Sequence, residues 1–125
     1  MGQWALPLSL RRVVGRYVRA FAPERIVLFG SYAKGTNRPG SDLDVLIVAD
    51  LEGDISAHMR RAHQLAADCF PPVDVVFATT EDVERSTADR NPFLLSILGT
   101  GIALYSRGQA ATMFLFEASS AGIPS

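Results

Sequence analysis

Hydrophobic and polar positions along this chain alternate between helical spacing and short unbroken apolar runs. An apolar stripe with spacings of three and four predicts an amphipathic helix over 7–22 that begins with Pro7. The stripe consists of Leu10, Val13, Val14, Tyr17, Val18 and Phe21. Apolar runs of strand length predict strands at 25–30, 43–49, 73–77 and 102–105. Together these elements predict an α/β fold, with a small mixed β-sheet flanked by helices.

The same pattern locates further helices and their ends. Helical spacing predicts a helix over 55–70, and the Pro71-Pro72 pair ends it. The apolar residues of this helix are Ile55, Met59, Ala62, Ala66 and Cys69. Thr79-x-x-Asp82 has the spacing of a capping box at a helix start, and another short helix is predicted near 92–98. Cys69 is expected to be a buried thiol.

Acidic residues lie where apolar strands begin. Asp42 and Asp44 open the run 43–49, and because side chains alternate along a strand they point to one face. Asp74 lies within the run 73–77. Carboxylates at the mouth of a buried strand are costly unless a positive group lies between them. An all-oxygen site of three carboxylates suits Mg²⁺ or Mn²⁺ better than zinc.

Gly30-Ser31 supplies the chemistry that complements these carboxylates. If the chain turns there from strand to helix, the amides of the helix start favour an anion. Gly30 allows the backbone to approach a phosphate, and the Ser31 hydroxyl can donate to an oxygen. Turn residues between 36 and 40 bring the chain back to the Asp42 strand. The residues therefore predict phosphates at one end of the segment and a metal ion at the other.

The spaced motif resembles a known family. Gly30-Ser31, ten residues, Asp42-x-Asp44 and a later Asp74 resemble the signature of the polymerase β-type nucleotidyltransferases. Within them the chain is most similar to the minimal nucleotidyltransferases (MNT proteins) that pair with HEPN-domain proteins. The resemblance covers about 25–105 and implies a polymerase β-type nucleotidyltransferase fold.

The resemblance also implies a role for each motif residue. Asp42, Asp44 and Asp74 match the catalytic, metal-ligating carboxylates, and Asp74 also helps to prepare the attacking hydroxyl. Gly30 and Ser31 match the pair that contacts the nucleotide phosphates. Lys34 lies where relatives carry a basic residue and is assigned to nucleotide binding.

The activity implied is Mg²⁺-dependent nucleotidyl transfer. Two Mg²⁺ ions would serve the reaction, with ATP as substrate and pyrophosphate as leaving group. The resemblance implies transfer of AMP to a tyrosine hydroxyl of a HEPN toxin partner, so that the chain acts as a type VII-like antitoxin and protein adenylyltransferase.

Other functions, and purely structural explanations of the motif residues, are also considered. The same chemistry can serve a small-molecule hydroxyl such as that of an aminoglycoside, and a non-catalytic antitoxin can neutralise a partner by occlusion.

A single Asp at a strand start often caps a turn, but three such residues with the Gly-Ser spacing do not fit that explanation. Lys34 is followed by Gly35-Thr36, so the loop is not a Walker A loop. The apolar run after Asp44 excludes an EF-hand.

Composition limits the partners and the compartment. The 125 residues include 12 basic and 13 acidic side chains, a net charge of −1, so no strong nucleic-acid binding is expected. The single cysteine cannot form an intramolecular disulfide. The sequence shows neither a signal peptide nor an apolar stretch of transmembrane length, so a cytoplasmic protein without a membrane partner is expected. A nucleotidyltransferase domain is predicted over 1–108, followed by a C-terminal tail over 109–125.

Overall fold

The structure is a computed structural model that describes residues 7–108. The predicted tail and the first six residues lie outside the described range, so the predicted domain limits remain predictions. The helices are α1 (Leu8–Phe21), α2 (Ser31–Lys34), α3 (Ile55–Leu65), α4 (Thr80–Glu84) and α5 (Pro92–Thr100). The strands are β1 (Arg25–Phe29), β2 (Leu43–Val48), β3 (Val73–Ala78) and β4 (Ile102–Ser106). Each predicted element is present, with ends shifted by a few residues.

The four strands form one mixed sheet in the order β3-β2-β1-β4. The strand β1 pairs with β2 and with β4 in antiparallel orientation, whereas β2 and β3 are parallel. The parallel pair is joined by α3, as a crossover connection requires. The predicted α/β class with a small mixed sheet is therefore confirmed.

Both faces of the sheet are covered. On one face, side chains of β2 such as Val45 and Ile47 pack in a cluster with α1 and with Ala62 of α3. On the other face, Leu46 and Val48 pack with α5 through Leu94 and Ile97. These four side chains of β2 are at most 1% exposed, because a continuous apolar run needs cover on both sides.

The helix α1 presents its predicted stripe to the first of these clusters. Five of the six stripe residues are buried, and Val18 is partly buried. The buried Tyr17 hydroxyl donates a hydrogen bond of 3.0 Å to the Ala62 carbonyl, and burial raises the pKa of Tyr17. Pro7 precedes the helix at its N-cap instead of beginning it, with an extended ψ of 140°. The prediction was wrong by one position, and Leu8 is the first helical residue.

The helix α3 ends at Leu65, five residues earlier than predicted. Arg16 of α1 binds at this end, where its guanidinium donates to the Leu65 carbonyl at 2.7 Å and to both carboxylate oxygens of Asp68. Residues 66–69 instead form turns closed by backbone hydrogen bonds between residues three positions apart. Ala66 and Cys69 are buried as predicted, whereas Ile55 at the helix start is 52% exposed.

The Arg16–Asp68 pair makes a prediction about acid stability. The Arg16 hydrogen bonds lower the pKa of Asp68 from 3.8 to about 2. A lowered carboxyl pKa stabilises the folded chain above pH 3.8, and this stabilisation is lost as the pH falls towards 2. We expect Asp68→Asn to lower the melting temperature at pH 7 and to match wild type near pH 2. Thermal denaturation followed by circular dichroism across this range measures it. A constant difference at every pH would contradict the pair's role.

The helix α4 begins with the capping box that the sequence predicts. The Thr79 hydroxyl accepts from the Asp82 amide at 2.9 Å, and the Asp82 carboxylate accepts from the Thr79 amide at 3.0 Å.

Over residues 7–108, no helix has the length and apolar character needed to cross a membrane.

Candidate active site

Acidic and aromatic side chains share one end of the sheet. Asp44 lies second in β2, directly beside Asp74 of β3 and directly opposite Phe29 of β1. Alternation places all three on the face that carries Leu46 and Val27, which α5 covers further along. The predicted meeting of Asp44 and Asp74 is therefore present, as a consequence of the parallel register.

The electrostatics of this end are unbalanced. Burial raises the pKa of Asp44, and the neighbouring Asp74 and Asp42 carboxylates raise it further. Within residues 7–108, no hydrogen bond or ion pair joins these three carboxylates to another side chain. Asp42 and Asp74 are exposed and Asp44 is half-buried. The site is thus an open concentration of negative charge that lacks a positive counterpart in the described chain.

Gly30 makes the close packing at this end possible. Its φ is +78°, in the region that favours glycine, and a Cβ atom there would lie 2.2 Å from Asp44 Oδ2. The Asp44 carboxylate therefore rests against the bare Cα of Gly30. The close neighbour of this glycine is the metal-ligand candidate Asp44, and the predicted approach of a phosphate to Gly30 stays a prediction.

The other predicted phosphate-site residues lie on α2. Ser31 is the first residue of this single-turn helix and is half-buried. Lys34 is its last residue and is exposed. Gly35 follows with φ +75° and ends the helix. The strand–turn–helix order predicted around Gly30-Ser31 is present, while the roles of Ser31 and Lys34 in nucleotide binding stay predictions.

A comparison with protein families identifies the domain that carries this end of the sheet. Residues 10–99 match the model of the nucleotidyltransferase domain. This chain belongs to the nucleotidyltransferase domain family. No curated protein matches the sequence.

Solved structures support the fold of this nucleotidyltransferase domain. A Sulfolobus solfataricus protein assigned as a nucleotidyltransferase superimposes with a TM-score of 0.57 at 18% identity, covering 81% of this chain and 80% of that one. A toxin–antitoxin structure with AMP-PNP gives 0.56 at 22% identity, with 90% of each chain covered. A mutant MntA–HepT toxin–antitoxin structure gives 0.53 at 23% identity, covering 90% and 83%. The polymerase β-type fold implied by the resemblance is confirmed.

The nucleotidyltransferase domain has donor groups that fit a divalent metal ion. Among residues 7–108, no three Asp, Glu, His or Cys side chains are already gathered as a complete ligand set. Asp44 and Asp74 are nevertheless adjacent, all their donors are carboxylate oxygens, and no described side chain neutralises them. Hard cations such as Mg²⁺ prefer these donors. The residues present therefore fit a divalent metal ion, and ligation of that ion by Asp42, Asp44 and Asp74 stays a prediction.

An aromatic contact near this end of the sheet was not predicted from the sequence. Phe93 of α5 packs edge-to-face on Phe29, with ring centroids 5.8 Å apart and planes at 86°. Phe93 is 57% exposed, and Phe29 lies opposite Asp44 in the sheet. The proximity of α5 to the end of β1 depends on tertiary packing, so no local sequence pattern indicates this pair.

Proposed function

We propose that this chain transfers AMP from ATP to a tyrosine hydroxyl of a HEPN-domain toxin and thereby acts as its antitoxin. The observation that carries the proposal is the row formed by Asp74 and Asp44, with Gly30 packed against the Asp44 carboxylate. In this row, negative charge without a cationic partner lies beside Gly30, whose backbone allows another group to approach closely. A metal-bound triphosphate needs both features.

Each residue has a defined task in the proposed reaction. Asp42, Asp44 and Asp74 would hold Mg²⁺, which when bound would neutralise phosphate charge and lower the pKa of the attacking hydroxyl. Gly30 and Ser31 orient the phosphates, with Lys34 adding positive charge near them. The tyrosine oxygen attacks the α-phosphorus, the bond to the pyrophosphate oxygen breaks, and Asp74 takes up the hydroxyl proton. The chain makes no covalent bond to the substrate, so positioning accounts for its catalysis.

An acceptor from another protein fits the architecture. Asp42 and Asp74 are exposed at the sheet end, and the described residues form one domain around a single sheet. A separate acceptor-binding domain is therefore missing from the described part of the chain. Chains of this fold also occur in toxin–antitoxin complexes, one of them with AMP-PNP. Both observations favour a protein acceptor over a small-molecule hydroxyl.

Intact-mass spectrometry tests this function. HepT of the MntA–HepT complex, and any HEPN-domain protein encoded beside this chain, are each incubated with the chain, Mg²⁺ and ATP. We expect a mass gain of one or more AMP groups, located to tyrosine by peptide mapping. The Asp42→Ala/Asp44→Ala double variant should give no gain.

The alternative functions predict different results. A double variant that still neutralises the toxin, with no mass gain from wild type, would show an occluding binding module. Consumption of ATP with an aminoglycoside mixture, but not with the HEPN proteins, would show a small-molecule acceptor. Either result would overturn the protein adenylyltransferase proposal.

A further inference from the structure

We propose that Phe93 is the platform on which the base of the bound nucleotide stacks, an inference that rests on the proposed nucleotidyl transfer. A single exposed aromatic side chain is ordinary at a protein surface and alone indicates nothing. Phe93 differs because of its position, since it packs on Phe29, the residue directly opposite Asp44.

The distances along the sheet suit a nucleotide. Directly opposed residues of antiparallel strands have Cβ atoms about 4.5–5.5 Å apart, which sets the separation of Asp44 and Phe29. The Phe93 ring centroid lies a further 5.8 Å from that of Phe29. A nucleotide whose α-phosphate is held at Asp44 carries its base one ribose away. The proposal places the base on the Phe29–Phe93 pair, with the nucleotide extending from β2 across β1.

Phe93 is held firmly enough to act as a platform. Its neighbour Leu94 is 4% exposed in the core, and the Leu94 amide donates to the Asn91 side chain at 3.1 Å, which caps α5. Contact with the Phe29 ring fixes one side of Phe93, while 57% of the residue stays exposed to solvent. A rigid aromatic surface with a free side is what base stacking requires.

Most other aromatic side chains of the described chain pack with the cluster on the opposite face of the sheet. Tyr17 and Phe21 belong to this cluster, and the partly buried residues packed against it include Tyr32, Phe77 and Tyr105. Phe70 is 80% exposed, and its backbone carbonyl accepts a hydrogen bond from the Ser9 hydroxyl. Phe29 and Phe93 are the aromatic pair in contact with one another on the carboxylate face.

Stacking also predicts how the nucleotides rank. Each base has a π-face, so a contact of this kind does not read hydrogen-bonding edges. ATP and GTP, with larger ring systems, should bind more tightly than CTP and UTP. Selection of ATP over GTP would then need contacts other than Phe93.

Calorimetric titration with AMP-PNP and with tripolyphosphate, each with Mg²⁺, tests the platform. Phe93→Ala should weaken AMP-PNP binding by about tenfold, within the range for base–aromatic stacking, and change tripolyphosphate binding by less than about twofold. Phe93→Tyr keeps a ring and should bind like wild type. Leu95→Ala, at an exposed position of the same helix, is the matched control and should change neither affinity.

Each other outcome counts against the platform. Unchanged AMP-PNP affinity in Phe93→Ala would overturn it and leave the proposed transfer intact. Equal losses for AMP-PNP and tripolyphosphate would also overturn it, because Phe93 would then support the phosphate site and not the base. Wild type that binds neither ligand with Mg²⁺ would overturn the proposed function together with the platform.

Discussion

We expect Asp44→Asn to reduce nucleotidyl transfer by roughly a thousandfold, the loss that follows when several kcal/mol of metal-dependent stabilisation of the transition state are removed. Asn keeps the shape of Asp but removes its charge, so the packing against Gly30 is retained. The same change removes a charge that burial disfavours and that Asp74 and Asp42 repel, the causes that raise the pKa of Asp44 in the wild type. Without metal, the variant should therefore melt at a higher temperature than wild type.

Transfer rates and melting curves with and without Mg²⁺ measure both effects. Mg²⁺ should raise the melting temperature of wild type and leave that of Asp44→Asn unchanged. Glu84→Gln removes a negative charge at the exposed end of α4 and should affect neither measurement. A variant that keeps full activity, or that melts lower without metal, would show that Asp44 is not a member of a repulsive metal-binding set.

Gly30→Ala is expected to lower transfer by about a hundredfold, because misplacing a catalytic group by about 1 Å can cost that much. The new Cβ atom would lie 2.2 Å from Asp44 Oδ2, so the carboxylate must move. Alanine at φ +78° and ψ −153°, a region that glycine populates almost alone, also strains the backbone, at about 1–3 kcal/mol. We expect weaker Mg²⁺-dependent AMP-PNP binding as well as slower transfer.

Gly35→Ala introduces backbone strain without a clash. Gly35 has φ +75° and ψ 17°, in the left-handed helical region, and an added Cβ atom there meets nothing within 4 Å. This variant should lose about 1–2 kcal/mol of stability and keep its transfer rate within about threefold, since it carries strain without displacing a carboxylate. Equal losses of activity in the two variants would show that backbone strain, and not displacement of Asp44, explains the effect of Gly30→Ala.

The secondary structure was largely predictable because its signals are local. Apolar periodicity located α1, the unbroken run after Asp44 located β2, and Thr79-x-x-Asp82 located the start of α4. The errors lie where tertiary contacts override the local pattern. At the end of α3, Arg16 from a different helix donates hydrogen bonds to the Leu65 carbonyl and to Asp68 beyond the helix. Periodicity within 55–70 contains no information about that arginine.

The candidate site was predictable only in part, for a similar reason. The motif from Gly30 to Asp44 is local and could be read from the sequence, whereas the packing of Gly30 against the Asp44 carboxylate was not predicted. The alignment of Asp44 with Asp74 depends on the register of a parallel pair joined by a long crossover. The Phe29–Phe93 contact depends on how α5 crosses the sheet. Neither property is encoded in residues adjacent along the chain.

A crystal structure of the chain with Mn²⁺ and AMP-PNP, recorded at a wavelength where manganese scatters anomalously, tests the central claim most directly. That claim is that Asp42, Asp44 and Asp74 hold the metal that carries the nucleotide. We expect anomalous peaks in contact with these carboxylates and with the phosphates beside Gly30. Manganese bound elsewhere, or held by the phosphates with no carboxylate ligand from this chain, would contradict it.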